Sequence, residues 1–88
     1  MVSKTPGRYF INWDGKMIAE ITYSVAGETM IIIDHTYVSD DFRGEGLGKI
    51  MLNQAVEDAR KSRIKIVSLC PFAKSFFEKN KNAQDVLK

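Results

Sequence analysis

The chain has 88 residues, a net charge of +2, 44% hydrophobic and 27% charged residues, which is ordinary for a globular protein. We expect one domain over residues 1–88, because this length supports a single core. The longest apolar run, Met30 to Ile33, is too short to cross a membrane. A lone cysteine cannot form an intramolecular disulfide, and the N-terminus has no apolar stretch of signal-peptide length, so we expect a cytoplasmic protein.

Three strands are predicted first, after a loose lead-in over residues 1–7. Residues 8–13 alternate, and Asp14-Gly15 is a two-residue turn signal. Residues 16–25 and 29–38 form the next two strands, separated by a second turn. Three sequential strands joined by tight turns predict an antiparallel meander.

The alternation also predicts which strand residues share a face. In the first strand, Tyr9 and Ile11 share a face with Trp13, and we expect Trp13 and the phenylalanines in the core. In the third strand, His35 shares a face with Ile31, Ile33 and Tyr37. The second strand is expected to place Met17, Ala19, Ile21 and Tyr23 on one side and Ile18 on the other.

The hydrophobic period then changes from that of a strand to that of a helix. A stripe from Leu47 to Ala59 predicts a helix that ends near Ser62, and residues 64–69 predict a fourth strand parallel to the third. Pro71 suits the first turn of a final short helix, on which Phe72, Phe76 and Phe77 form one stripe. Residues through Leu87 add one more turn that docks. The predicted fold class is α/β (α+β).

The loop between the third strand and the first helix is rich in glycine. A Walker loop needs a glycine at position 43 and a Ser or Thr at position 50, but Arg43 and Ile50 stand there. The glycines are also too closely spaced for the dinucleotide fingerprint. What remains is Arg43-x-x-Gly46-x-Gly48 at the start of a helix, where unpaired amides favour an anion.

Three segments together resemble one family. They are His35-Thr36-Tyr37-Val38, then Arg43-Gly44-x-Gly46-Leu47-Gly48, then Leu69-Cys70-Pro71-Phe72-Ala73-Lys74. Their sequence and spacing are similar to those of the minimal GNAT-like N-acetyltransferases, over about residues 8–88. The resemblance implies a GNAT-like fold: a three-stranded antiparallel meander, then a helix, a parallel strand and a C-terminal helix. It also implies transfer of an acetyl group from acetyl-CoA to an amine, either a small molecule or a protein lysine.

The same resemblance implies where acetyl-CoA binds. In the family the glycine loop wraps the diphosphate, and the pantetheine arm pairs with exposed backbone of the preceding strand. The implied coenzyme-binding residues are Thr36, Tyr37, Val38, Arg43, Gly44, Glu45, Gly46, Leu47, Gly48 and Lys49. The loop also suits such a ligand physically, since Gly46 and Gly48 let a ligand approach the backbone without meeting a Cβ, and Arg43 adds a charge-assisted contact.

Two residues are candidates for a catalytic role. Cys70 follows a strand and directly precedes a helix, a position that favours the nucleophilic thiolate. It is a candidate acetyl acceptor, base or acid toward the coenzyme thiolate, but a free cysteine is also often a small buried apolar residue. His35 is a candidate for proton transfer, or a hydrogen-bonded core residue. Four carboxylates are further candidate bases that their spacing does not distinguish: Glu28, Asp34, Asp40 and Asp41.

The sequence is also compatible with two functions of other classes. One is a non-catalytic module that binds acetyl-CoA or CoA. The other is a nucleic-acid-binding scaffold, because residues 60–88 carry eight Lys or Arg against two Asp or Glu, although such a run also simply solvates a helix end. Nucleic acid is not the expected partner, since aromatic and basic residues are not interleaved. No residue cluster has metal-ligand spacing, so no metal is expected.

Overall fold

The computed structural model describes residues 2–88 and contains one five-stranded sheet. The strands are β1 Ser3–Thr5, β2 Arg8–Trp13, β3 Lys16–Val25, β4 Met30–Val38 and β5 Lys65–Ser68, and the helices are α1 Leu47–Ser62 and α2 Pro71–Lys79. Two 3-10 turns lie at Asp40–Phe42 and Lys81–Val86. The strands follow one another in chain order across the sheet, and every pair is antiparallel except β4 and β5. This confirms the predicted meander, the parallel fourth strand and the fold class.

The lead-in is structured, contrary to expectation. Within residues 2–7, β1 pairs with β2 in the register Ser3↔Phe10. All three residues of β1 are exposed, so the segment carries no hydrophobic alternation from which a strand could be predicted. Met1 lies outside the described residues.

Both helices pack against one face of the sheet. Helix α1 contacts β2, β3, β4 and β5, while α2 contacts β4, β5 and α1. Their buried residues join those of the strands in a single hydrophobic cluster. The turn at Lys81–Val86 docks on this cluster through Ala83 and Val86, as predicted. The other face of the sheet is left without a covering helix in residues 2–88.

Two β-bulges invert parts of the predicted alternation. Between β2 and β3 the register jumps from Ile11↔Ala19 to Asn12↔Met17, which leaves Ile18 as an extra residue. Ile18 is consequently buried and Met17 exposed, the reverse of the expected assignment. Trp13, past the bulge at the end of β2, is 65% exposed instead of lying in the core.

The second bulge lies in β4. The register passes from Tyr23↔Ile33 to Thr22↔His35, so Asp34 is the extra residue. Residues after it change face: Thr36 now pairs with the buried Ile21 on the helix side. The expectation that His35 shares a face with Ile31 and Ile33 is therefore wrong, and the His35 side chain is exposed on the opposite face.

Tyr9 links the sheet to α1 through one hydrogen bond. Its side chain is buried, and its hydroxyl donates to Asp58 Oδ2 at 2.7 Å. Burial, and then the hydrogen bond to the Asp58 carboxylate, raise the pKa of Tyr9 well above 10. A raised tyrosine pKa means that the contribution to stability is fully present below pH 10 and is lost as the pH rises above it.

We expect Tyr9→Phe to lower the free energy of unfolding by about 1 kcal/mol at pH 7, because the hydrogen bond is lost. Above pH 10 the variant should lose stability less steeply than the wild type, by up to about 1.4 kcal/mol for each pH unit. Urea unfolding at pH 8, 10 and 11 measures the difference in free energy of unfolding between the variant and the wild type. The titration of lysines affects both proteins alike and cancels in this difference. Tyr37→Phe is the control, because Tyr37 is exposed, and it should follow the wild type. A steeper loss of stability for Tyr9→Phe than for wild type would contradict the prediction.

Candidate functional site

Strand β4 has an open edge over its second half. It pairs with β5 from Met30↔Lys65 to Ile33↔Ser68, and the last backbone hydrogen bond on this side runs from the Leu69 amide to the Ile33 carbonyl at 3.1 Å. β4 then continues to Val38, where β3 is its one neighbouring strand among residues 2–88. The two parallel strands therefore separate after Ile33.

The backbone groups that face this open edge follow from the antiparallel ladder. The Ser39 amide donates to the Ile18 carbonyl at 2.7 Å, so Ser39 directs its polar groups toward β3. Because this direction alternates along a strand, Thr36 and Val38 direct their amides and carbonyls away from β3. They meet no strand there, and they need a partner.

The loop after β4 leads into α1 through two left-handed glycines. Gly44 has φ +84°, and Gly46, the N-cap residue of α1, has φ +75°. The first amide to donate within the helix is that of Ile50, to the Gly46 carbonyl at 3.0 Å. The amides of Leu47, Gly48 and Lys49 precede it and have no acceptor in the helix. The first turn also has no capping side chain and no acidic residue, so this helix end attracts an anion.

A cleft of about 740 Å³ joins the open edge, the loop and the start of α1. It brings together most of the residues predicted from the sequence. Those that line it are Thr36, Val38, Arg43, Gly44, Gly46, Leu47, Gly48 and Lys49. Tyr37 and Glu45 do not line it: the Tyr37 side chain is exposed on the opposite face of the sheet, with His35.

The remaining cleft residues, which are absent from the predicted set, are Phe42 of the 3-10 turn and one face of α2. That face consists of Phe72, Ser75, Phe76 and Lys79, together with the C-cap residue Asn80. Their spacing of three or four residues is the signal that could have identified a helix face directed at the site. With Arg43 from the loop and Lys49 from the first turn of α1, Lys79 makes three cationic side chains around the cleft within residues 2–88. Arg43 is itself exposed and paired with Asp40, with 2.9 Å between Nε and Oδ1.

The two predicted catalytic residues are not brought together. Cys70 is 6% exposed and does not line the cleft. Its Sγ lies 3.1 Å from Oγ1 of Thr36, so the thiol contacts a side chain of the open edge of β4 without lining the cleft. His35 and Tyr37 lie on the opposite face of the sheet from the helices, which separates His35 from Cys70.

The two later glycines of the motif differ in their surroundings. A Cβ at Gly46 would have no atom within 4 Å, so this position is open as expected. A Cβ at Gly48 would lie 2.6 Å from Cε2 and from Cζ of Phe72. The physical reason expected for Gly48, free approach of a ligand, is therefore wrong at this position, because the ring of Phe72 occupies the space.

Neither a metal site nor a membrane span is found among the described residues. Residues 2–88 contain no group of three or more His, Cys, Asp or Glu side chains placed to hold a metal ion. In the same part of the chain, neither helix is long and apolar enough to cross a membrane.

Comparison with known proteins identifies relatives of the whole chain. The family model described as GCN5-related N-acetyl-transferase matches residues 8–86. The solution structure of a GCN5-like protein from Staphylococcus aureus has a TM-score of 0.83 and 38% sequence identity, covering 100% of this chain and 87% of that one. No match is found among curated proteins.

Two larger structures share the fold at low identity. The ribosomal-protein-S18-alanine N-acetyltransferase from Escherichia coli has a TM-score of 0.68 at 18% identity, covering 82% of this chain and 49% of that one. A Mycobacterium tuberculosis protein in complex with CoA also has a TM-score of 0.68 at 18% identity, covering 85% and 47%. The chain thus spans about half the length of these two structures.

Proposed function

The chain belongs to the GCN5-related N-acetyltransferase family, and from this premise we propose that it transfers the acetyl group of acetyl-CoA to an amine. One observation carries the proposal: a single cleft joins the unpaired amides at the start of α1 to the unpaired edge of β4. A diphosphate suits the first, and an extended arm with amide groups suits the second. Residues 1–88 would act as one acetyltransferase domain, in the cytoplasm.

The coenzyme would be held by three kinds of group. Amides of Leu47, Gly48 and Lys49 would donate to the diphosphate, and Arg43 would add a charge-assisted contact. Polar backbone groups of Thr36 and Val38 would pair with the pantetheine arm, as an added strand does.

In the proposed reaction the amine nitrogen attacks the carbonyl carbon of the thioester. The carbon–sulfur bond breaks, the coenzyme leaves as its thiolate, and the proton lost by the amine neutralises that thiolate. An amide on the open edge of β4 is suited to stabilise the negative charge that develops on the carbonyl oxygen. The attacking amine must be uncharged, so its deprotonation is part of the reaction.

A second candidate is a non-catalytic module that binds acetyl-CoA. The position of Cys70 favours it, because the thiol is buried and does not line the cleft, whose lining within residues 2–88 contains no histidine or carboxylate either. Both candidates share the same coenzyme site, and they differ in turnover.

We expect the purified protein to release CoA from acetyl-CoA faster when an amine is added. Thiol release is followed colorimetrically, and the acetylated product by mass spectrometry, with a small polyamine and a lysine-containing peptide as acceptors. Titration calorimetry on the same sample measures acetyl-CoA binding. Binding without amine-dependent release would support the non-catalytic module, and no binding at all would overturn both candidates.

A further inference from the structure

Phe72 stands apart from the other aromatic residues of α2. Phe76 and Phe77 are 5% and 1% exposed and belong to the core, as predicted, but Phe72 is 44% exposed. A single exposed phenylalanine is unremarkable in itself. This one lines the cleft, and its ring is seated against the backbone of Gly48 at the start of α1.

Gly48 has no conformational reason to be glycine. It lies in the first turn of α1 without a positive φ, where alanine would stabilise the helix by up to about 1 kcal/mol. It is buried, and a Cβ would come within 2.6 Å of two ring atoms. No pair of non-bonded carbon atoms tolerates that separation, so an added methyl must displace the ring.

The geometry points to a role for this pair: we propose that Phe72 orients the pantetheine arm of acetyl-CoA in the cleft, and that Gly48 seats its ring. The inference rests on the proposed function, and it adds a binding residue and a positioning residue to it. The arm has an apolar part, which carries two methyl groups, and two amides. Phe72 offers an aromatic surface to the first, and the open edge of β4 offers hydrogen-bonding groups to the second.

Gly48 would act on the ligand through Phe72. A methyl at position 48 leaves the position 48 amide in place for the diphosphate, but it pushes the ring out of its seat and toward the cleft. The expected loss is therefore confined to ligands that have a pantetheine arm. ADP carries a diphosphate without that arm and is the probe that separates the two parts of the site.

The test is a double-mutant cycle on Gly48→Ala and Phe72→Ala, with affinities measured by titration calorimetry. Each single variant should bind acetyl-CoA about tenfold more weakly than wild type, and each should bind ADP within twofold of wild type. The double variant should be no weaker than Phe72→Ala alone, because the ring that the methyl displaces is absent. Lys74→Ala is the control, since Lys74 is exposed on α2 outside the cleft.

A direct measurement complements the cycle. In the wild-type complex, nuclear Overhauser effects should connect the ring protons of Phe72 with the methyl protons of the pantetheine arm. Their absence from a saturated complex, additive losses in the double variant, or an equal loss of ADP binding would each overturn the role of Phe72. Wild-type protein that binds no acetyl-CoA would instead overturn the proposed function itself.

Discussion

Replacing Gly46 by aspartate is expected to weaken acetyl-CoA binding by at least about a hundredfold, whereas replacement by asparagine should cost far less. Both side chains tolerate the left-handed backbone that Gly46 adopts at φ +75°, better than other residues do. Both also fit, because a Cβ there meets nothing within 4 Å. The two variants therefore differ mainly in one negative charge beside the amides that would hold the diphosphate.

The size of the effect follows from electrostatics. Two like charges about 4 Å apart near a protein surface repel by about 4 kcal/mol, and each 1.4 kcal/mol is a tenfold change in affinity. The introduced carboxylate would also accept hydrogen bonds from the amides at the start of α1 and so compete with the ligand. A hundredfold loss corresponds to about 2.8 kcal/mol, which is less than the full repulsion and leaves room for screening by solvent.

Thermal unfolding with and without acetyl-CoA measures the difference between the variants. A ligand at a hundredfold excess over its dissociation constant stabilises a protein by about 2.7 kcal/mol, so the wild type should show a clear rise in Tm. The rise should persist for Gly46→Asn and vanish for Gly46→Asp. Equal loss in both variants would attribute the effect to backbone strain, and no loss in either would show that the diphosphate binds elsewhere.

Most of the fold could be predicted because its elements have strong periodicity. Residues 47–62 have a continuous helical stripe, and Pro71 begins a helix in the sequence and in the structure alike. The wrongly predicted faces of the strands arise at β-bulges, where one strand has an extra residue. The extra residue Asp34 reverses the faces of everything after it in β4, and nothing in the local alternation indicates the insertion.

The candidate site could be predicted in part, for a similar reason. The loop residues are consecutive, so their proximity in space follows from the sequence alone. The contribution of α2 depends on how that helix packs across β4 and β5, which is a tertiary feature. The spacing of Phe72 from Phe76 and Phe77 fits one stripe and predicts a core position, but the stripe is wider than the buried surface of the helix.

A covalent route through Cys70 is the alternative to direct attack by the amine, and on this route replacing Cys70 by serine is expected to lower acetyl transfer by about a hundredfold or more while leaving acetyl-CoA affinity within about twofold of wild type. On this route the Cys70 sulfur attacks the carbonyl carbon of the thioester and a new thioester forms on Cys70. The carbon–sulfur bond to the coenzyme breaks, and the coenzyme thiolate takes up the proton lost by the Cys70 thiol. The amine then attacks the Cys70 thioester, the bond to the Cys70 sulfur breaks, and the proton lost by the amine returns to that sulfur. A serine hydroxyl fits the same space and can bond to Thr36 Oγ1, but it is a far weaker nucleophile.

The burial of Cys70 supports the opposite interpretation, in which the thiol has a structural role only. Cys70 is buried and contacts Thr36, which lines the cleft, but does not line the cleft itself. If its role is purely structural, Cys70→Ser and Cys70→Ala should show reduced stability and unchanged turnover. Val86→Ala, in the buried terminal turn outside the cleft, controls for a loss of packing. Steady-state kinetics and the intact mass of the protein after exposure to acetyl-CoA give the result. Full turnover in both cysteine variants, without an acetyl adduct on the wild type, would leave the backbone amides of β4 as the source of catalysis.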